Sequence, residues 1–273
     1  MLAARARRGV VIACSAALLA VGLALPASAA PDDDPTDQPS THLRALHASR
    51  PLLGWRIALD PGHNGGNAQD PTASNQLVSD GRDALKPCNT TGTATPSGYA
   101  EHAFNLDVAQ RLAEELERLG ATVLLTRDDD DGVGPCVDVR GRFAEDVDAD
   151  LLVSIHANGS ASSTAEGFFA IVADPAISPS QGEPSTSLAA DMIQALMDAG
   201  FTPSTSVDGA LSERSDLATL NFSRRPAVML ELGEMRNPGD ATLMESEDGR
   251  QAYADALAEG VVAWTDEHER AEN

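Results

Sequence analysis

Basic residues are scarce in this chain: 19 lysines and arginines face 42 aspartates and glutamates, for a formal net charge of −23, and Lys86 is the sole lysine. So anionic a surface excludes nucleic acid and anionic lipid as partners. Cysteine is nearly missing as well, with Cys14, Cys88 and Cys136 making the whole complement. No internal repeat is visible, which excludes a solenoid, and no separate binding module can be made out. What remains is 273 residues at 42 % hydrophobic content, enough to bury the core of one ample domain.

The start of the chain has the pattern of an export signal. Arg5, Arg7 and Arg8 precede a mostly apolar run from Gly9 to Leu25, and Ala27-Ser28-Ala29 is a small-x-small cleavage site. Cleavage is expected after Ala29, giving a signal peptide over 1–29 and no stable membrane anchor. Val11-Ile12-Ala13-Cys14 has some likeness to a lipoprotein box, but the apolar run continues past the cysteine. Loss of the three arginines leaves 16 basic against 42 acidic residues, a formal charge of −26. The expected location is secreted, in the periplasmic or cell-wall space. Cys88 and Cys136 then remain as an even pair in an exported protein, and a disulfide is expected between them.

Residues 30–52 form an acidic, polar linker, with proline and acid throughout 31–41 and nothing to bury. The folded domain is expected over 53–266, with a short tail over 267–273. Arg56 to Asp60 is a brief buried strand that runs into Pro61-Gly62-His63-Asn64-Gly65-Gly66, where the Pro-Gly and Gly-Gly pairs mark a reversal. The polar stretch 64–98 is long for a compact domain, which fits a flap beside a site. Phe104, Val108, Leu112, Leu116 and Leu119 recur at helical spacing, with Glu101 at the start and Gly120 as the stop. Strands follow over 121–126, 151–155, 167–172 and 227–232, an acidic loop over 128–135, and helices over 137–147, 185–199 and 241–265. This alternation predicts an α/β fold: a single wound, mixed and mostly parallel sheet with helices on both faces.

Three ionisable residues sit at the edges of these elements. His63 follows the first strand, Glu101 opens the first long helix, and His156 follows Leu151-Leu152-Val153-Ser154-Ile155. If the two strands are parallel neighbours, both imidazoles emerge at one end of the sheet, where the glutamate can meet them. Two histidines and a carboxylate suit Zn²⁺, with a fourth position left for water. Glu231 ends the apolar run Pro226-Ala227-Val228-Met229-Leu230, where a carboxylate is costly without a partner, and general base is the chemically sensible role for it. Each residue also has a plain structural alternative. His63 could be a turn residue, Glu101 a charge on a helix dipole, His156 a satisfied core imidazole, and Glu231 a partner for Arg224, Arg225 or Arg236. His102 competes with Glu101 for the site, though adjacent helical residues diverge. His42, His47 and His268 fall in tails and are expected to be solvated.

Five stretches fall in a specific order: Leu59-Asp60-Pro61-Gly62-His63, Gly98-Tyr99-Ala100-Glu101 with Phe104-Asn105-Leu106, Leu125-Thr126-Arg127, Leu152-Val153-Ser154-Ile155-His156-Ala157-Asn158, and Pro226 to Gly233 with Asn237-Pro238. Over about residues 55–265 they resemble the zinc-dependent N-acetylmuramoyl-L-alanine amidases (amidase type 3), in their exported cell-wall branch. That resemblance implies hydrolysis of the amide between the lactyl group of N-acetylmuramic acid and the L-alanine of the stem peptide. It implies one Zn²⁺ on His63, Glu101 and His156, Glu231 as the catalytic glutamate, peptidoglycan or muropeptides as the partner, and a monomer. Two departures stand out: Glu234 replaces an aromatic near the site, and Ala144-Glu145-Asp146 replaces an Ala-Asn pair. Rival expectations are a zinc peptidase acting within the stem peptide and a non-catalytic peptidoglycan-binding regulator. The second should have lost a ligand or the base, and none is missing.

Overall fold

A computed structural model describes residues 49–162 and 164–268. The expected signal peptide, most of the linker, His42, His47 and the last five residues lie outside the described residues. Among those described, no helix is long and apolar enough to cross a membrane.

Eight strands run in chain order: β1 (Arg56–Pro61), β2 (Leu77–Ser79), β3 (Leu85–Pro87), β4 (Thr122–Leu125), β5 (Leu151–Asn158), β6 (Phe169–Ala173), β7 (Leu211–Arg214) and β8 (Ala227–Glu234). The helices are α1 (Pro71–Ser74), α2 (Glu101–Arg118), α3 (Val137–Asp146), α4 (Gly182–Asp198), α5 (Ala218–Phe222), α6 (Pro238–Glu245) and α7 (Glu247–Glu267). Six strands make the main sheet in the order β4-β1-β5-β8-β6-β7. β4, β1, β5 and β8 are mutually parallel, while β6 meets β8 antiparallel and β7 follows β6 in parallel. The mixed, mostly parallel α/β sheet is therefore as expected, and β1 and β5 are indeed neighbours.

Strands of a parallel sheet are covered on both faces, so they are apolar throughout instead of alternating. Ile57, Ala58 and Leu59 in β1 and Leu151, Leu152 and Val153 in β5 have no exposed surface. Helices α2 and α4 pack on the sheet and each against α7, while α3 and α5 form a second pair against the sheet. In α2, Phe104, Val108, Leu112 and Leu116 face the core fully buried, and Gly120 at φ 109° ends the helix.

The structure differs from the sequence expectations in several places. The terminal helix is two helices, α6 and α7, because Ser246 is extended (φ −86°, ψ 141°) and its hydroxyl caps α7 by accepting from Gly249 N at 3.0 Å. Asn237 caps α6 in the same way, with Pro238 at its first position. The 64–98 stretch is not a bare loop but holds α1 and the β2–β3 hairpin. Its end is joined to the start of α3 by the expected Cys88–Cys136 disulfide. His268 is not simply solvated: its ring stacks on Trp264 with centroids 4.1 Å apart, and its Nδ1 donates to the Trp264 carbonyl at 2.8 Å.

The interior also holds an ion pair. Arg140 Nη1 meets Asp60 Oδ1 at 2.8 Å, with both side chains buried. Burial by itself would raise the Asp60 carboxyl. The Arg140 charge and the hydroxyls of Thr126 and Ser154 override it and hold the pKa below its ordinary value of 3.8. The stability this contributes is complete above that ordinary value and is lost as pH falls through the lowered one. Asp60→Asn would leave a buried guanidinium uncompensated, at a cost of about 3–5 kcal/mol. Urea unfolding at neutral pH should show that loss, and the deficit relative to the parent should shrink below about pH 4. An unchanged midpoint would contradict the role given to this pair.

Candidate active site

The turn after β1 is shaped by two buried arginines. Arg140 donates to the carbonyls of Pro61 at 2.7 Å, His63 at 2.8 Å and Pro135 at 2.8 Å, and Arg127 donates to Pro61 at 2.9 Å, Gly62 at 3.1 Å and His102 at 2.7 Å. Main-chain oxygens that a reversal would leave unpaired are thus satisfied. His63 itself adopts φ 60°, a left-handed conformation that is unusual outside glycine and is sustained here by the surrounding bonds. Its Nδ1 donates to Thr90 O at 2.9 Å, which leaves Nε2 free to point into the site.

Three side chains converge there. Glu101 Oε1 lies 3.1 Å from His63 Nε2 and 3.0 Å from His156 Nδ1, and it also accepts from Ala157 N at 3.2 Å. Glu101 Oε2 accepts from Thr93 N at 2.9 Å. The imidazole planes cross at 85° with centroids 4.8 Å apart. Burial would raise the Glu101 carboxyl, but the hydrogen bonds and charges of the two histidines hold it far below the usual carboxylate range. Burial would likewise lower His63, yet its bond to Glu101, that carboxylate's charge and the Thr90 carbonyl raise it. The sequence brings these three together as expected. His102 points elsewhere, forming an ion pair with Asp130.

Glu231 stands beside them because β5 and β8 pair His156 with Glu231 in register, so both side chains leave the sheet on the same face. Its Oε2 is buried and has no hydrogen-bond partner among the described residues. Burial, reinforced by the charges of Glu101 and Glu234 and only partly offset by Arg214, raises its carboxyl well above the usual range. Of the arginines offered as its partners, Arg224 reaches Glu145, Arg225 pairs with Asp148, and Arg236 is exposed. Glu234 is buried and occupied, accepting from Asn158 Nδ2 at 2.6 Å and Ser160 N at 2.9 Å. It anchors the strand end that carries Asn158. His63, Glu101, His156 and Glu231 border a groove of about 430 Å³, with Thr90 to Thr93 and the apolar Val137, Leu217 and Met229 also in its lining.

The donor set fits a divalent cation. One ligand atom from each of His63, Glu101 and His156 lies within 4.8 Å of the others. Ligands about 2.0–2.2 Å from a tetrahedral ion stand roughly 3.3–3.6 Å apart, so small adjustments suffice. The Thr90 bond to the far nitrogen of His63 is the outer support that metal-ligating histidines have. Sequence reasoning missed Arg140, whose only signal was a charged residue on the inner face of a short helix, and it gave Arg127 no role.

The fold has relatives among known proteins. Residues 57–263 match the N-acetylmuramoyl-L-alanine amidase family model. The chain is 40 % identical over 215 residues to the N-acetylmuramoyl-L-alanine amidase Rv3717 of Mycobacterium tuberculosis, covering 78 % of this chain and 87 % of that one. Its fold matches the crystal structure of the N-acetylmuramyl-L-alanine amidase Ami1 from Mycobacterium smegmatis with a TM-score of 0.77 at 38 % identity, over 80 % of this chain and 99 % of that one. Ami1 from Mycobacterium abscessus in its apo form matches with a TM-score of 0.75 at 41 % identity, over 78 % and 99 %.

Gly62 is where the turn and the site touch. A Cβ there would stand 2.1 Å from His156 Cε1 and 2.6 Å from its Nδ1, the atom that meets Glu101, so the ring must shift. Gly62→Ala should weaken zinc binding by roughly 10–100-fold, as loss of a ligand's support does. Calorimetric titration with zinc checks this, alongside circular dichroism to confirm the fold. Unaltered affinity would show that the crowding is harmless.

Proposed function

The chain belongs to the N-acetylmuramoyl-L-alanine amidase family, and on that premise we propose that it hydrolyses the amide between the lactyl group of N-acetylmuramic acid and the L-alanine of the stem peptide, with one zinc ion held by His63, Glu101 and His156. The observation that carries this is a single one: three metal-binding side chains converge next to a buried, unpartnered carboxylate oxygen on Glu231. A zinc ion at that point supplies Lewis acidity, making water acidic enough near about pH 7 to attack an amide.

The rest of the chemistry falls to the chain's own residues. Glu231 Oε2 takes a proton from the attacking water and returns it to the departing amine of alanine. Its raised pKa makes it a stronger base than an ordinary carboxylate. Glu101, fully charged, balances the cation, and its contacts with Thr93 N and Ala157 N keep it from turning away. Val137, Leu217 and Met229 give the groove an apolar lining that suits the methyl groups flanking the bond and displaces water from it.

The place of action is the cell-wall space, after removal of residues 1–29. The basic and apolar start of the sequence supports this, and so does the disulfide, which persists in oxidising compartments.

Glu231→Gln should keep its zinc yet release stem peptide from purified peptidoglycan about 10²–10⁴-fold more slowly. Mass spectrometry of the parent's products should show peptides beginning at intact alanine. Chelation should abolish release, and added zinc should restore it. Normal digestion by the Gln variant, or fragments cut between stem-peptide residues, would refute the assignment.

A further inference from the structure

The rim of the groove carries a charge that amide hydrolysis itself does not use. Lys86, the only lysine in the chain, is the middle residue of β3 and lines the groove beside Pro87. Its Nζ donates to the main-chain carbonyl of Asp216 at 2.6 Å, and it takes part in no ion pair among the described residues. The Asp216 carboxylate is engaged elsewhere: Arg214 grips both its oxygens, Nε to Oδ1 at 2.8 Å and Nη2 to Oδ2 at 2.7 Å. An ammonium has three donors, so two are left over. In a chain with 42 acidic residues, one half-buried cation stands at the edge of the groove with no carboxylate in ion-pair contact among the described residues, and Asp216 and Asp80 act on it only from further off. Partial burial of an unmatched ammonium is unfavourable, and an arriving anion would relieve it.

The substrate of the proposed reaction has anions on one side only. The single carboxyl of N-acetylmuramic acid is consumed in the amide, so the sugar half is neutral, whereas the peptide half carries free carboxylates. We propose that Lys86 binds a carboxylate of the stem peptide and so orients the substrate with its peptide half toward the β2–β3 hairpin. This rests on the amidase reading and adds to it a residue that selects for charge. The Cys88–Cys136 disulfide lies two residues beyond Lys86 and fixes the end of the hairpin to α3, which holds the ammonium at a set place on the rim.

The test compares N-acetylmuramoyl-L-alanyl-D-glutamate with the same compound carrying carboxamides in place of both free carboxylates. The parent enzyme should favour the acid by roughly tenfold or more in kcat/KM, through KM, as expected for one charge-assisted hydrogen bond. Lys86→Met and Lys86→Gln should collapse that ratio toward one, and Lys86→Arg should keep most of it. Zinc content and thermal midpoint equal to the parent's would tie the change to recognition and not to folding. Equal cleavage of the two compounds by the parent, or an undiminished ratio in both neutral variants, would overturn the proposal. Cleavage of neither compound is a different result, since it would refute the amidase reading itself and this inference with it.

Discussion

A guanidinium with almost no access to solvent holds the turn on which the rest of the site depends. Arg140 is tied to Asp60 and to three main-chain carbonyls, and Arg127 takes up further carbonyls of the same turn. Because both cations are buried, their hydrogen bonds act in a low dielectric, where loss of a partner is costly and small displacements are resisted. The consequence is positional. His63 is kept in a left-handed conformation that a free chain would abandon, and its Nε2 is aimed at Glu101.

From that fixed point the geometry spreads through the sheet. β5 lies beside β1 and β8 beside β5, so His156 and Glu231 are set by strand register, while Glu101 is set by the start of a helix packed over the same strands. Rigid elements therefore place every member of the candidate metal-binding cluster and the candidate base. The more irregular segment, 64–98, contributes the surroundings: Thr90 orients His63, Thr93 orients Glu101, and Lys86 stands on the rim. Its attachment to α3 through Cys88–Cys136 limits how far those surroundings can drift.

Close packing sharpens the arrangement. Gly62 and Gly92 leave space that any side chain would fill: a Cβ on Gly92, at φ 73°, would stand 2.7 Å from Glu101 Oε2. The site is crowded from behind and open only toward the groove. Glu231 is the exception to the general satisfaction of polar atoms, since its buried Oε2 has no partner among the described residues. An unpaired acid in such a place costs stability and is tolerable where it serves chemistry. Glu234, three residues on, shows the contrast, for it is more deeply buried yet engaged by Asn158 and Ser160.

The sequence by itself determined the alternation of strands and helices, because a doubly covered strand must be apolar throughout and an amphipathic helix must repeat every three to four residues, and both patterns are local. It also determined which residues were candidates, since a histidine beside turn glycines and an acid ending an apolar run are visible without coordinates. Lost from view were the short pieces: the β2–β3 hairpin, β7 and α5 span three to five residues each, too few for a period to show. The break at Ser246 was hidden because apolar spacing continues across it. Only the tertiary structure decided that His63, Glu101 and His156 meet on one oxygen, that Arg140 and not a surface partner neutralises Asp60, and that Lys86 forms no ion pair among the described residues. These are contacts between residues distant in the chain, and they depend on strand order and register, which no local pattern encodes.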